Sequence, residues 1–387
     1  MPQRLITSKL ASFGETIFAE MSALAVRTGA VNLGQGFPDT DGPTEVSDAA
    51  IQAIRDGHNQ YPPGVGIADL RHAIAEHQLR FYGVTVDPDT EVLVTAGATE
   101  ALTASLLALC DDGDEVVVFE PWYDSYGAAI AMAGATKKVV TLRPVNNGYE
   151  FDEAELRAAI GPSTRLFLLN TPHNPTGKVF THEELSLIAE LCVEHDVLVI
   201  TDEVYEHLVF DGEHRLLATY PGMAERTVTI SSGGKTFSFT GWKIGWAVGP
   251  ADILQAVRTV KQYLTYVNGA PFQPAIAVGL RLGDDYFDGF LTDMRMKRDL
   301  LSDGLESVGF TVYRPQGTYF VTTDIRNFGT DDGRQFCLDL PERAGVVAVP
   351  NVVFYDNRSE GSHLVRFAFC KKVGVLEEAV ERLGALR

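Results

Sequence analysis

Runs of consecutive apolar residues, separated by amphipathic stretches, set the pattern through the middle of the chain. Residues 92–95, 115–119, 165–169, 197–201, 227–231 and 244–248 each read as a buried strand bounded by small or polar residues. Between them lie segments such as 181–194, where Leu185, Ile188, Ala189 and Cys192 recur at helical spacing. Such alternation predicts an α/β core with a mostly parallel sheet. After about residue 250 the pattern changes. A long helix is expected over 251–266, then a break at Asn268-Gly269-Ala270-Pro271, a helix over 286–307, and short strands near 310–313, 319–323 and 364–369. This remainder has the order of a smaller α+β domain.

Length fits that division, because 387 residues are too many for one small core and are comfortable as two domains sharing a cleft. The formal net charge of −20 argues against nucleic acid or an anionic membrane as partner, since either would be repelled. Cys110, Cys192, Cys337 and Cys370 show no CxxC pairing and sit mainly in apolar stretches. They read as reduced core residues, with no metal site expected. The N-terminus lacks a signal-peptide core and no apolar run is long enough to span a bilayer, so a cytoplasmic location is expected.

The candidate chemistry gathers just beyond the strands. Lys235 lies in Ile230-Ser231-Ser232-Gly233-Gly234-Lys235-Thr236, a nearly uncharged turn after a buried strand. Burial and neighbouring positive charge would lower its pKa and leave an amine able to condense with an aldehyde near neutral pH. Asn170-Thr171-Pro172-His173-Asn174-Pro175-Thr176-Gly177 follows another strand, and its prolines and glycine make a stiff turn aiming Asn174 out of the sheet's end. Asp202 closes the strand 197–201, with Tyr205 three residues on. Thr95-Ala96-Gly97-Ala98-Thr99-Glu100 passes from strand through a small-residue turn into a helix, whose free N–H groups and positive dipole end suit a phosphate.

With these segments the chain resembles the class I/II aminotransferases of fold type I, enzymes that use pyridoxal 5′-phosphate. The resemblance runs from Asn32-Leu33-Gly34-Gln35-Gly36-Phe37-Pro38-Asp39 to Val365-Arg366-Phe367, with the motifs in the family's order. The opening motif and the run Gly234-Lys235-Thr236-Phe237-Ser238-Phe239-Thr240-Gly241-Trp242 look most like the kynurenine, glutamine–phenylpyruvate and methionine aminotransferases, and like some N-succinyldiaminopimelate aminotransferases. It implies a large cofactor-binding domain over residues 38–275, and a small domain built from 1–37 and 276–387. It also implies that Lys235 holds the cofactor covalently and that Asp202 keeps the pyridine nitrogen protonated. Tyr205 and Asn174 would bond the ring's phenolate oxygen. The backbone of Ala98 and Thr99, with Ser232 and Lys243, would hold the phosphate. Lys243 stands where other members carry arginine, so a bidentate fork is exchanged for a point charge.

By the same resemblance Tyr123 stacks on the ring, with Trp122 as the neighbouring alternative. Tyr61 reaches the phosphate from a second subunit, which implies a homodimer. Arg366, a guanidinium in the apolar run Leu364-Val365-Arg366-Phe367, is costly there without an anion and reads as the fork for the substrate α-carboxylate, with the Gly36 backbone close by. The implied reaction moves an amino group between an amino acid and a 2-oxo acid, in ping-pong order. Cysteine-S-conjugate β-lyase chemistry with the same cofactor is the alternative. A P-loop is disfavoured because the first glycine of that motif would fall at Thr229, inside a strand. A regulator built on the same domain would need an added DNA-binding segment, and this sequence starts within the aminotransferase pattern. Residues 263–274 hold no arginine, where aspartate-type members place one for a distal carboxylate, so a glutamine-, methionine- or aromatic-type donor is expected ahead of aspartate.

Overall fold

The computed structural model describes residues 6–145 and 148–387. Its larger sheet has seven strands: β1 (Val92–Thr95), β2 (Glu115–Glu120), β3 (Thr136–Thr141), β4 (Thr164–Asn170), β5 (Leu198–Asp202), β6 (Thr227–Ser232) and β7 (Gly245–Val248). They lie in the order β1-β7-β6-β5-β4-β2-β3. Successive residues of one strand feed opposite cores. Val116, Val118, Leu166 and Leu168 pack on the face carrying Leu102 and Val257, whereas Val117, Phe119, Phe167 and Leu169 meet Leu185, Ile188 and Cys192 on the other. A sheet covered on both faces needs apolar residues at every position, which is why these strands stand out in the sequence.

Two features depart from the simple pattern. Strand β7 runs antiparallel to both β1 and β6, while the other pairs are parallel. A parallel return needs a crossover, usually a full helix. Residues 233–244 supply only the short helix Gly233–Thr236 and the turn Thr240–Trp242, so the chain doubles back and leaves Lys235 just beyond the C-terminal end of β6. The edge strand β3, which the hydrophobic pattern does not predict, carries Lys137 and Lys138, and Lys138 pairs with Glu115 of β2 at 2.6 Å. Charged edges of this kind discourage pairing with a foreign strand.

A second sheet comprises β8 (Thr311–Tyr313), β9 (Phe320–Asp324), β10 (Val349–Pro350) and β11 (Leu364–Ala368), antiparallel in the order β8-β9-β11-β10. Its core takes in Leu301 and Leu305 from the helix Asp284–Val308, Leu376 and Ala379 from Val373–Leu383, and Met21 from Ile17–Thr28. The N-terminal residues join it through Val31–Asn32, which pairs with Val346–Val347, and through Leu33, whose carbonyl accepts from the Ala368 N–H at 2.7 Å. The loop after Leu33 then passes over the C-terminal ends of the large sheet's parallel strands, where ligands bind in sheets of this kind. Among the described residues no helix is long and apolar enough to cross a membrane.

Candidate active site

A cavity of about 210 Å³ opens where those strand ends face β9 and β11. Gly36, Ala98, Thr99, Tyr123, Asn174, Asp202, Tyr205, Ser232, Lys235, Lys243 and Arg366 all line it. Tyr61 does not. It is 80% exposed, its ring meeting that of Tyr266 edge-on at 5.4 Å. Trp122 is buried beneath Lys137, whose ammonium sits 3.2 Å from its ring centre, leaving Tyr123 as the aromatic at the cavity wall.

One end is built for an anion. The helix Gly97–Leu109 starts there, and the first N–H groups of a helix have no partner within it. Gly97 has φ +76°, and a methyl group on it would lie 3.1 Å from Lys243 Nζ. A side chain at Gly245 would come within 2.6 Å of the Ala98 nitrogen, so glycine at both positions lets β7 and the helix start close up. The Lys243 ammonium thereby sits against the helix N-terminus. The Ser232 hydroxyl, also on the cavity wall, has no hydrogen-bond partner among the described residues.

The middle is organised around Asp202. Its Oδ2 accepts from the Tyr126 hydroxyl at 2.6 Å, and no cation forms an ion pair with it among the described residues. Burial raises its pKa, against the Tyr126 hydrogen bond and the charge of Lys235. A carboxylate so placed gains most from a cationic N–H in the cavity. Asn170, paired with Asp202 across β4 and β5, donates its amide to the Asp202 carbonyl at 2.8 Å and accepts from the Asn174 N–H at 2.6 Å. Asn174 Oδ1 in turn accepts from Arg366 Nη1 at 3.0 Å. That bond fixes the polarity of the Asn174 side chain and frees its N–H₂ for a cavity oxygen.

Arg366 is 1% exposed, lies 4.0 Å from the Phe320 ring centre, and forms no salt bridge to an acid among the described residues. Its Nη2 donates to the Gly34 carbonyl at 3.3 Å, while its Nε has no partner among the described residues. Burial lowers its pKa to about 10. A guanidinium held this way is poised for a carboxylate, the anion whose geometry its fork matches.

Lys235 Nζ donates to the Tyr319 hydroxyl at 2.8 Å, and that hydroxyl donates to the Gly36 carbonyl at 2.5 Å. Burial lowers the Lys235 pKa to about 8, helped by the charges of Lys243 and Arg366 and opposed by Cys370 and Asp202. Tyr126, Tyr319, Asn170 and Gly97 were not singled out from the sequence. Gly97 and Asn170 left a signal there, the one as the glycine of the turn opening the helix and the other as the first residue of the proline-rich turn.

Comparison with known proteins agrees along the whole chain. The sequence model of the family described as "Aminotransferase class I and II" matches residues 28–383. A Mycobacterium tuberculosis protein named as a probable N-succinyldiaminopimelate aminotransferase is 52% identical over 99% of this chain and 98% of its own length. The Escherichia coli methionine aminotransferase is 41% identical, covering 98% of each chain. A solved structure of the N-succinyldiaminopimelate aminotransferase from Mycobacterium tuberculosis superposes with a TM-score of 0.97 at 53% identity, over 99% of this chain and 100% of that one.

Proposed function

We propose, for a chain that belongs to the class I and II aminotransferase family, that the cavity between its two sheets is the transamination site and that its preferred donors are amino acids with uncharged side chains. The protein is an aminotransferase of fold type I and works with pyridoxal 5′-phosphate. One observation carries the site reading: a buried amine and, with no ion-pair partner among the described residues, a buried carboxylate and a buried guanidinium all open on one cavity.

Its residues fit that cofactor. At the cavity end a Cβ on Gly97 would crowd the Lys243 ammonium, and the free helix N–H groups at Ala98 and Thr99 lie there beside the Ser232 hydroxyl, so we assign the phosphate to this end. Asp202, braced by Tyr126, would hold the proton on the pyridine nitrogen, while Tyr205 and the Asn174 amide would bond the ring's phenolic oxygen and Tyr123 would cover one ring face. When bound, the cofactor supplies an electron sink for the pair left at the substrate Cα when its proton departs. Lys235 would hold the cofactor through its side-chain amine and, when free, would take the Cα proton as general base and give it back as general acid. Arg366 and the backbone at Gly36 orient the α-carboxylate, so that every donor presents its Cα hydrogen to the same amine.

The donor preference rests on the wall beyond Arg366, where Phe18, Phe37 and Phe320 are aromatic and Gln35 is neutral. N-succinyldiaminopimelate is the second reading, favoured by the 52% identity with the Mycobacterium tuberculosis relative of that name. A donor panel assayed with 2-oxoglutarate and pyruvate decides between them: glutamine, methionine and aromatic donors should outpace aspartate, and a dominant rate with N-succinyldiaminopimelate would install the second reading. The same panel on Arg366→Lys tests the carboxylate fork. A loss of about 2–3 kcal/mol in kcat/KM, common to all donors, is expected from replacing a bidentate pair by a point charge. A loss confined to some donors would move Arg366 to the specificity pocket.

We further propose a homodimer in which Tyr61 reaches the partner's phosphate. The exposure of Tyr61, Tyr263 and Tyr266 at 80%, 84% and 55% supports it, and a single-subunit mass in sedimentation would overturn it. Four buried free cysteines suit the cytoplasm, a location that recovery of the protein from a secreted fraction would overturn. We draw the large domain over residues 38–280, slightly past the sequence-based limit of 275, because the helix Phe272–Leu280 buries Ala275, Ile276 and Leu280 against Val46, Ile74 and Val94. Limited proteolysis that cuts first elsewhere than near this limit would revise it.

A further inference from the structure

We propose that Tyr319 is a positioning residue for Lys235, its hydroxyl parking the ε-amine and tying it to the Gly36 carbonyl beside the carboxylate site. The inference rests on the reading of Lys235 given above and adds a residue to it.

Two observations carry it. The first is the sense of the hydrogen bonds. A phenol has one proton, and Tyr319 gives it to the Gly36 carbonyl at 2.5 Å. Toward Lys235, 2.8 Å away, the oxygen can therefore only accept. It holds one N–H of the amine and leaves the nitrogen lone pair, once the amine is neutral, to point elsewhere. An amine that must lift a proton from one carbon and deliver it to another needs its lone pair aimed, and a fixed acceptor on one N–H aims it.

The second is the backbone that holds the ring. Thr318, immediately before Tyr319, has φ +68° and is fully buried, a conformation that β-branched residues rarely adopt. Its N–H is bonded to the Leu208 carbonyl at 2.9 Å, and the Tyr319 carbonyl accepts from the Phe369 N–H at 2.9 Å. The Tyr319 ring is pinned edge-on between Tyr205 at 5.2 Å and Phe320 at 4.8 Å. At Gly36 a Cβ would lie 2.5 Å from Phe320, so the carbonyl that receives the phenol cannot back away behind a side chain. Strain of this kind is kept where the surroundings over-determine a position, and here it fixes one oxygen. The other polar or charged groups around the amine are Asp202, Lys243, Arg366, Cys370 and Tyr205, and none of them is within hydrogen-bonding distance of it.

The test is Tyr319→Phe, which keeps the ring and removes the oxygen. The cofactor-free variant should unfold close to the parent's temperature and take up pyridoxal phosphate on Lys235 to the same stoichiometry, read by absorbance. Its kcat should fall about tenfold, one hydrogen bond's worth, with little change in donor KM. The deuterium isotope effect with an α-deuterated donor should rise, because the proton transfer becomes slower relative to other steps. Parental kcat and isotope effect would overturn the proposal, as would a loss of rate that merely tracks lost loading or stability. Should the variant fail to fold, 3-fluorotyrosine at position 319 weakens the oxygen as an acceptor and should move kcat and the isotope effect the same way. Lys235→Ala, run alongside, separates the two readings. If it keeps the absorption of lysine-bound cofactor, the assignment of Lys235 fails; if it loses that band while Tyr319→Phe behaves as the parent, only the role of Tyr319 fails.

Discussion

Lys235→Ala should yield a folded protein that binds pyridoxal phosphate only reversibly, shows no absorption of the lysine-bound form, and turns over at least about 10³-fold more slowly. The size follows from losing a general acid–base and the covalent anchor together, each commonly worth orders of magnitude. The other lysine lining the cavity, Lys243, lies against Gly97 and is assigned to the phosphate, so it is not expected to substitute. The fold should not suffer. Burial lowers the Lys235 pKa from its ordinary 10.5 to about 8, so below pH 10.5 the folded state holds this proton less tightly than the unfolded chain does, and the lysine is a cost to stability at neutral pH. In the parent enzyme the neutral amine attacks the cofactor, so the loading rate should climb with pH and level off above about 8. Turnover near the parental rate in Lys235→Ala would sink the assignment.

Asp202→Asn is the second large effect, and it separates chemistry from folding. An amide cannot balance positive charge on the ring nitrogen, so kcat should drop by roughly 3–5 kcal/mol, the scale of a buried charge pair broken on one side. Stability should move the other way, if at all. Burial raises the Asp202 pKa in the cofactor-free fold. A raised carboxyl pKa contributes stability below the unfolded value near 3.9 and loses it as pH climbs through the folded one, so near neutral pH the buried carboxyl is a burden. Removing its charge leaves the Tyr126 hydroxyl an acceptor and lifts the burden. Thermal unfolding with and without cofactor, set beside kcat at full loading, measures both halves. Unchanged turnover in the loaded variant would remove Asp202 from this role.

The parts of this molecule that can be read from its sequence are those whose causes are local. Strands covered on both faces announce themselves, and Lys235, Asp202 and Asn174 stand out because each is a polar group at or shortly beyond the end of such a strand. Strand β3 stayed hidden because an edge needs Lys137 and Lys138 where a central strand needs valine. Tyr126 and Tyr319 stayed hidden for another reason. Both are aromatic residues in apolar surroundings, the ordinary content of a core, and the partner that gives Tyr319 its meaning is Gly36, 283 positions away. The reversal of β7 could be read only from how little chain, residues 233–244, lies between it and β6 for a crossover.

The chain of amides from Asp202 through Asn170 and Asn174 to Arg366 has a metric consequence. Its first link is fixed by the register of two neighbouring strands and its last by a buried guanidinium, so the carboxylate fork stands at a set distance from the group that holds the ring. The enzyme therefore carries a gauge for the spacing between amine and carboxylate, independent of how large the side chain may be. A β-amino acid, one methylene longer along that span, should be refused even where its side chain fits. Turnover of one at a rate near that of its α-isomer would show that the gauge bends.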